Sequence, residues 1–158
     1  MRFLLFINLS IIFFIAVFIF QKRLPVLLNI FNFFVIEFLI TSLFGALGIN
    51  YKFWETSTDI QLQILLRVFE IIIAPLLYIL YFNQLYTAKS LISKGVLTLL
   101  LLGIFWGFEL LFVKWGVFIF KDWSYGKALF MYLLILLFSY FLQKGFTFVL
   151  RKEGIETK

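Results

Sequence analysis

The chain has no cysteine and no histidine among its 158 residues. That excludes disulfides, thiolate or imidazole metal sites, cysteine nucleophiles, serine–histidine triads and histidine-ligated haem. Charge is also scarce. Only 14 % of the residues are charged, against about 25 % in a typical globular domain. Apolar side chains take their place: 64 % of the sequence is hydrophobic and 22 % aromatic, with 24 phenylalanines. A soluble fold of this size cannot bury so much apolar surface. The composition therefore predicts an all-α integral membrane bundle forming a single transmembrane domain. The net charge of +6 belongs to basic flanks between and after apolar runs, where anionic headgroups lie. No basic stretch interleaved with aromatics suggests a nucleic-acid surface.

A membrane-spanning helix needs about 20 mostly apolar residues. Five segments meet this, at about residues 3–20, 25–48, 62–82, 95–116 and 128–150. The first is too long and lacks the small-residue cleavage site of a signal peptide, so it reads as a retained helix. Basic flanks orient the bundle. Lys22, Arg23, Lys89, Lys94, Arg151, Lys152 and Lys158 fall on one side, and Arg2, Lys52, Lys121 and Lys127 on the other. This places the N-terminus outside and the C-terminus in the cytoplasm. Tyr51, Trp54, Trp115, Trp123 and Tyr125 gather at the expected outer interface, where amphipathic rings favour headgroup depth. The connection from Ile49 to Gln61 has room for a short interfacial helix.

The informative residues are the polar ones inside the apolar runs. A charge at the bilayer centre costs about 2.5–3.5 kcal/mol on insertion scales. Glu37, Arg67, Glu70, Glu109 and Lys114 must therefore turn toward other helices, water or each other. Helical stepping places Gln63, Arg67, Glu70, Ala74, Tyr78 and Tyr81 on one stripe of the third span. Asn29, Phe33, Glu37, Thr41, Gly45 and Gly48 form a stripe on the second. Tyr132, Leu136, Ser139, Gln143 and Thr147 form one on the fifth. Thr98, Leu102, Trp106, Glu109, Val113 and Gly116 share a side of the fourth, while Gly103 and Gly107 make a separate small-residue edge suited to packing within the bundle. At about 1.5 Å rise per residue, Glu70 and Glu109 lie roughly 10–12 Å below the outer ends and Glu37 roughly 16 Å. The expected site is one cluster: three carboxylates below two basic groups, Arg67 and Lys114, with Tyr78 beside them. Arg67 and Glu70 can pair at i,i+3. Pro75 removes a helical N–H donor and predicts a local disturbance just after Glu70.

The segment Tyr51-Lys52-Phe53-Trp54, the Ala74-Pro75 step, the stretch Trp106-Gly107-Phe108-Glu109, the turn Phe120-Lys121-Asp122-Trp123-Ser124 and the closing Arg151-Lys152 form a set. Over roughly residues 30–152 it resembles an uncharacterised family of small polytopic membrane proteins of endospore-forming Firmicutes (bacilli and clostridia). Members often carry glycine before the tryptophan of that turn, where this chain has Asp122. The resemblance implies a five-helix protein of the bacterial cytoplasmic membrane, with a link to sporulation. It assigns no catalytic residue.

Three functions compete. The first is a non-enzymatic membrane protein with a small polar pocket open to the outer side, acting as an accessory subunit, a sensor or a minor transporter. Such a pocket would take a small cation, a proton or a polar headgroup. The second is an intramembrane acid–base enzyme acting on a lipid or isoprenoid through paired carboxylates. The third is a channel or carrier, but five helices without a repeat give no inverted-repeat signature. No nucleophile, metal-ligand set or phosphate loop is present, and no cofactor is expected. The partners expected are the lipid bilayer and a membrane protein or second copy of the chain. Ion pairs that only fix helix register remain the purely structural alternative.

Overall fold

The computed structural model describes residues 2–20 and 24–154. Lys22, Arg23 and Lys158, three of the basic flanks, lie outside these residues, and the side chain of Arg2 is likewise not described. Five helices make up an all-α architecture: α1 (Arg2–Phe20), α2 (Val26–Asn50), α3 (Ile60–Thr87), α4 (Leu91–Trp115) and α5 (Tyr125–Lys152). The last four are long and apolar enough to cross a membrane. Local chemistry sets their ends. Pro25 precedes α2, where its missing N–H is no loss. Asp59, Ser90 and Ser124 cap α3, α4 and α5, each accepting a backbone N–H with its side chain. Gly116 ends α4 in the left-handed region, at φ 71°.

α3 is the central helix. Of its apolar window 67 % is buried, against 28 %, 28 % and 22 % for α2, α4 and α5. It packs against α1, α2 and α4, and α2 and α4 both pack against α5. The core is aromatic and branched. Phe69 of α3 meets the rings of Phe105, Phe108 and Phe112 of α4, and Phe6 of α1 covers Phe108, Phe112 and Trp115. The outward faces are as apolar as the core: Leu4, Phe34, Phe38, Leu99, Phe130 and Phe148 are all exposed. A surface of this kind suits lipid rather than water.

Three expectations are corrected. The Ile49–Gln61 connection holds no short helix. It contributes strand β1 (Trp54–Thr56), which pairs antiparallel with β2 (Phe118–Phe120) from the α4–α5 connection, with Glu55 opposite Ile119. Backbone bonds from Ser57 N–H to the Val117 carbonyl and from Lys121 N–H to the Phe53 carbonyl extend this ribbon. Two connections over sixty residues apart are thus tied at one end of the bundle. The second correction concerns Gly103 and Gly107: a Cβ at either would meet nothing within 4 Å, so this edge does not pack inside the bundle. The third is Trp54. It lies only 4 % exposed under the ribbon, against Phe44, Phe118 and Trp123, and belongs to the core rather than to an aromatic belt.

The disturbance expected near Pro75 takes a definite form. Residues Phe69–Ile73 are π-helical, and the Ala74 N–H reaches back five residues to the Phe69 carbonyl. The wider turn accommodates the missing proline donor. It also leaves adjacent residues Phe69 and Glu70 both buried. A second π segment, Gly45–Asn50, ends α2.

Candidate functional site

A cleft of about 620 Å³ opens at the ribbon end, between the close of α2, β1 and the start of α3. Its charged lining comes from Lys52, Glu55, Arg67, Glu70 and Lys121. The π-helical end of α2 supplies a bare wall: a Cβ at Gly45 would meet nothing within 4 Å, whereas Gly48 lies flat under the Trp54 indole. Two ion pairs organise the charges. Arg67 Nη1 holds Glu70 Oε2 at 2.5 Å, with the carboxylate side chain 1 % exposed and the guanidinium side chain 55 %. Lys121 pairs with Glu55 across the edge of the ribbon. Lys52 makes no ion pair with the described residues. Its backbone is left-handed, at φ 53°, a conformation that costs a non-glycine residue about 1–2 kcal/mol. An unpaired cation thus lines the cleft from a left-handed backbone.

The other expected site residues distribute around this cleft. Tyr78 is fully buried, and its hydroxyl donates to the Tyr132 carbonyl at 2.8 Å. The Tyr132 hydroxyl in turn donates to Glu109 Oε1 at 2.8 Å, while Phe105 stacks on Tyr132 at 4.4 Å. Glu109 is 2 % exposed, and its second oxygen has no partner. Glu70 lies within electrostatic reach of Tyr132. The structure therefore joins Arg67 to Glu70 at the cleft, and Glu109 to Tyr132, itself bonded by Tyr78, in the core. The two carboxylates face different spaces, however. Glu109 lines a void that admits no water-sized sphere, walled by Phe44, Trp54 and Met131 among others.

Glu37 and Lys114 are not brought to the cleft. The buried line of α2 runs Asn29, Asn32, Ile36, Ile40 and Phe44, one residue off the predicted stripe. Glu37 is consequently half-buried about 100° around the helix from Ile36, and its carboxylate makes no hydrogen bond or ion pair with the described residues. Lys114 is exposed. It follows Glu109 by five residues, a turn of about 140° past the inward face. The α4 stripe shifts similarly: Leu101, Phe105, Phe108, Glu109 and Phe112 point in, and Trp106 points out.

Two polar features escaped sequence reasoning. Glu55 and Lys121 sit in connections whose pairing depends on the ribbon. At the opposite end, Asn83 bonds the Leu24 N–H, the Asn29 side chain and the Ile79 carbonyl, fixing the entry to α2 against α3. An asparagine just past the third apolar run is the signal that could have found it. A second cavity of about 510 Å³ lies near that end, among α3, α4 and α5. Its lining is largely apolar, with Lys94, a Tyr81–Thr98 hydrogen bond and Gln143 at its polar points. Neither buried carboxylate reaches it. Among the described residues no group of acidic side chains could hold a metal ion.

Comparison with known proteins found no matching family model, no matching curated protein and no matching solved structure.

Proposed function

We propose that the chain is a multi-pass protein of a bacterial cytoplasmic membrane whose ribbon-end cleft opens to the outer side and binds a small polar ligand. In this reading it serves as an accessory, sensing or minor transport component, with its N-terminus outside and its C-terminus in the cytoplasm. The apolar outward faces and four membrane-length helices support embedding in lipid. The excess of basic flanking residues on one side, seven against four in the sequence, supports the orientation. One observation carries the binding role. Arg67 is anchored by a buried carboxylate while half its side chain faces an open cleft, so a preorganised charged group meets a volume of ligand size.

A catalytic role would need two carboxylates facing one substrate in different environments. Glu70 faces the cleft and Glu109 a void too small for water, which favours binding over acid–base chemistry.

Filling the cleft tests the proposal. Gly45→Leu adds a side chain where the backbone has open space, so the protein should fold. Purified wild-type protein in maltoside micelles should gain thermal stability from polar extracts of the host membrane, by about 2.7 kcal/mol at a hundredfold excess over Kd. Gly45→Leu should lose that gain. Equal behaviour of the two proteins would refute a binding role for the cleft.

A further inference from the structure

The charges of the cleft do not balance. Lys52, Arg67 and Lys121 oppose Glu55 and Glu70, leaving one positive charge in excess. The surplus is localised, because Glu55 is matched to Lys121 and Glu70 to Arg67, while Lys52 stands alone. Arg67 uses Nη1 toward Glu70, so its remaining guanidinium donors are free for a planar or tetrahedral anion. Thr56 and Thr58 add hydroxyls to the same lining. The aromatic residues Tyr51, Phe53 and Trp123 stack in series beside this end, a grouping suited to lipid headgroup depth.

Building on the binding role proposed above, we propose that the cleft recognises a singly charged phosphodiester, with Lys52 and the free donors of Arg67 holding its oxygens. One negative charge neutralises the cleft. A second would be left unpaired beside Glu55 and Glu70. A buried acid beneath the arginine explains why binding an anion need not displace the existing pair: Glu70 stays on Nη1 and orients the fork. The phosphodiester can arrive in the plane of the bilayer, as a lipid headgroup, or from solution, as a glycerol phosphodiester.

The test uses the full chain in phosphate-free maltoside micelles and reads the fluorescence of Trp54, which lines the cleft; Trp54→Phe identifies its contribution. Three probes are titrated: short-chain phosphatidylglycerol, soluble glycerophosphoglycerol, and short-chain diacylglycerol, which has no phosphate. The proposal expects saturable binding of phosphatidylglycerol that weakens as salt rises, and none of diacylglycerol. Binding of glycerophosphoglycerol as well assigns an aqueous source, and binding of the lipid alone assigns a bilayer source. Lys52→Gln should weaken binding about fivefold, the scale of one partly solvated charge pair, and Lys52→Arg should restore it. Lys52 is exposed, so neither variant endangers folding. Equal binding of diacylglycerol and phosphatidylglycerol, or an unchanged Lys52→Gln, overturns the phosphodiester assignment and leaves the cleft as a binding site for another ligand. Absence of binding by all three probes overturns the assignment too; if Gly45→Leu also matches wild type with membrane extracts, the binding role falls with it.

Discussion

Replacing Tyr132 by phenylalanine removes a single oxygen from a buried polar contact of the bundle. The ring is 0 % exposed and stacks on Phe105 with an interplanar angle of 10°, and phenylalanine preserves that stacking. What disappears is the bond to Glu109 Oε1. Glu109 Oε2 already lacks a partner, so Tyr132→Phe leaves both carboxyl oxygens unsatisfied. Leaving a buried polar atom unsatisfied costs about 1–3 kcal/mol. For a chain of this length that corresponds to a fall in Tm of about 2–12 °C. Thermal unfolding in maltoside micelles, followed by far-ultraviolet circular dichroism, measures it. Tyr78→Phe is the comparison: it removes a neutral bond to the Tyr132 carbonyl and should cost only about 0.5–1.5 kcal/mol. Removing both partners should be milder than removing one. Tyr132→Phe combined with Glu109→Met, which keeps a similar volume, should recover much of the loss, because no polar group is then stranded. A Tyr132→Phe protein as stable as wild type, with strictly additive behaviour in the double variant, would refute the bond and the reasoning built on it.

Other substitutions probe other parts of the fold by the same unfolding assay. Gly48→Ala places a Cβ 2.7 Å from Trp54 Nε1 and 2.9 Å from its Cε2. The overpacking should cost about 1–3 kcal/mol. Gly103→Ala meets open space in mid-helix and should instead stabilise by about 0.5–1 kcal/mol. Asn83→Ala strands the Leu24 N–H and the Asn29 amide, at about 1–3 kcal/mol. Arg67→Gln leaves the Glu70 carboxylate buried without its cation, a loss of about 3–5 kcal/mol for a fully buried pair that solvent at Arg67 should moderate. Lys121→Gln breaks an exposed pair and should cost less than about 1 kcal/mol. A larger loss from Lys121→Gln than from Arg67→Gln would reverse the ranking drawn from burial.

The helices were legible because hydropathy reports on solvent, and every run here is long. The α3 stripe was legible for a second reason. Glu70, Ala74, Tyr78 and Tyr81 are all buried, because the most enclosed helix turns these positions toward its neighbours, while Gln63 and Arg67, nearer the helix start, are exposed. Arg67 and Glu70 needed only helical geometry to be paired. On α2, apolar residues surround the helix, so no contrast marks the inward face, and Asn32, which is not on the predicted stripe, is 1 % exposed. Glu37 was misplaced by that one-residue offset. Lys114 was grouped by depth alone, which ignores the rotation between it and Glu109. The ribbon was beyond local reading. Trp54-Glu55-Thr56 and Phe118-Ile119-Phe120 are three residues each, and the aromatic content of both suggested interface anchoring as readily as strand pairing.

The ribbon has a bearing on how a ligand meets the protein. Backbone hydrogen bonds clasp the α2–α3 and α4–α5 crossovers together beside the cleft, and no comparable backbone tie is present at the other end among the described residues. These bonds restrain the two crossovers from moving apart. A ligand of the kind proposed would enter beside these tied crossovers. If the cleft binds as proposed, little conformational entropy should be lost at its mouth, and affinity there should follow fit and charge more than closure around the ligand.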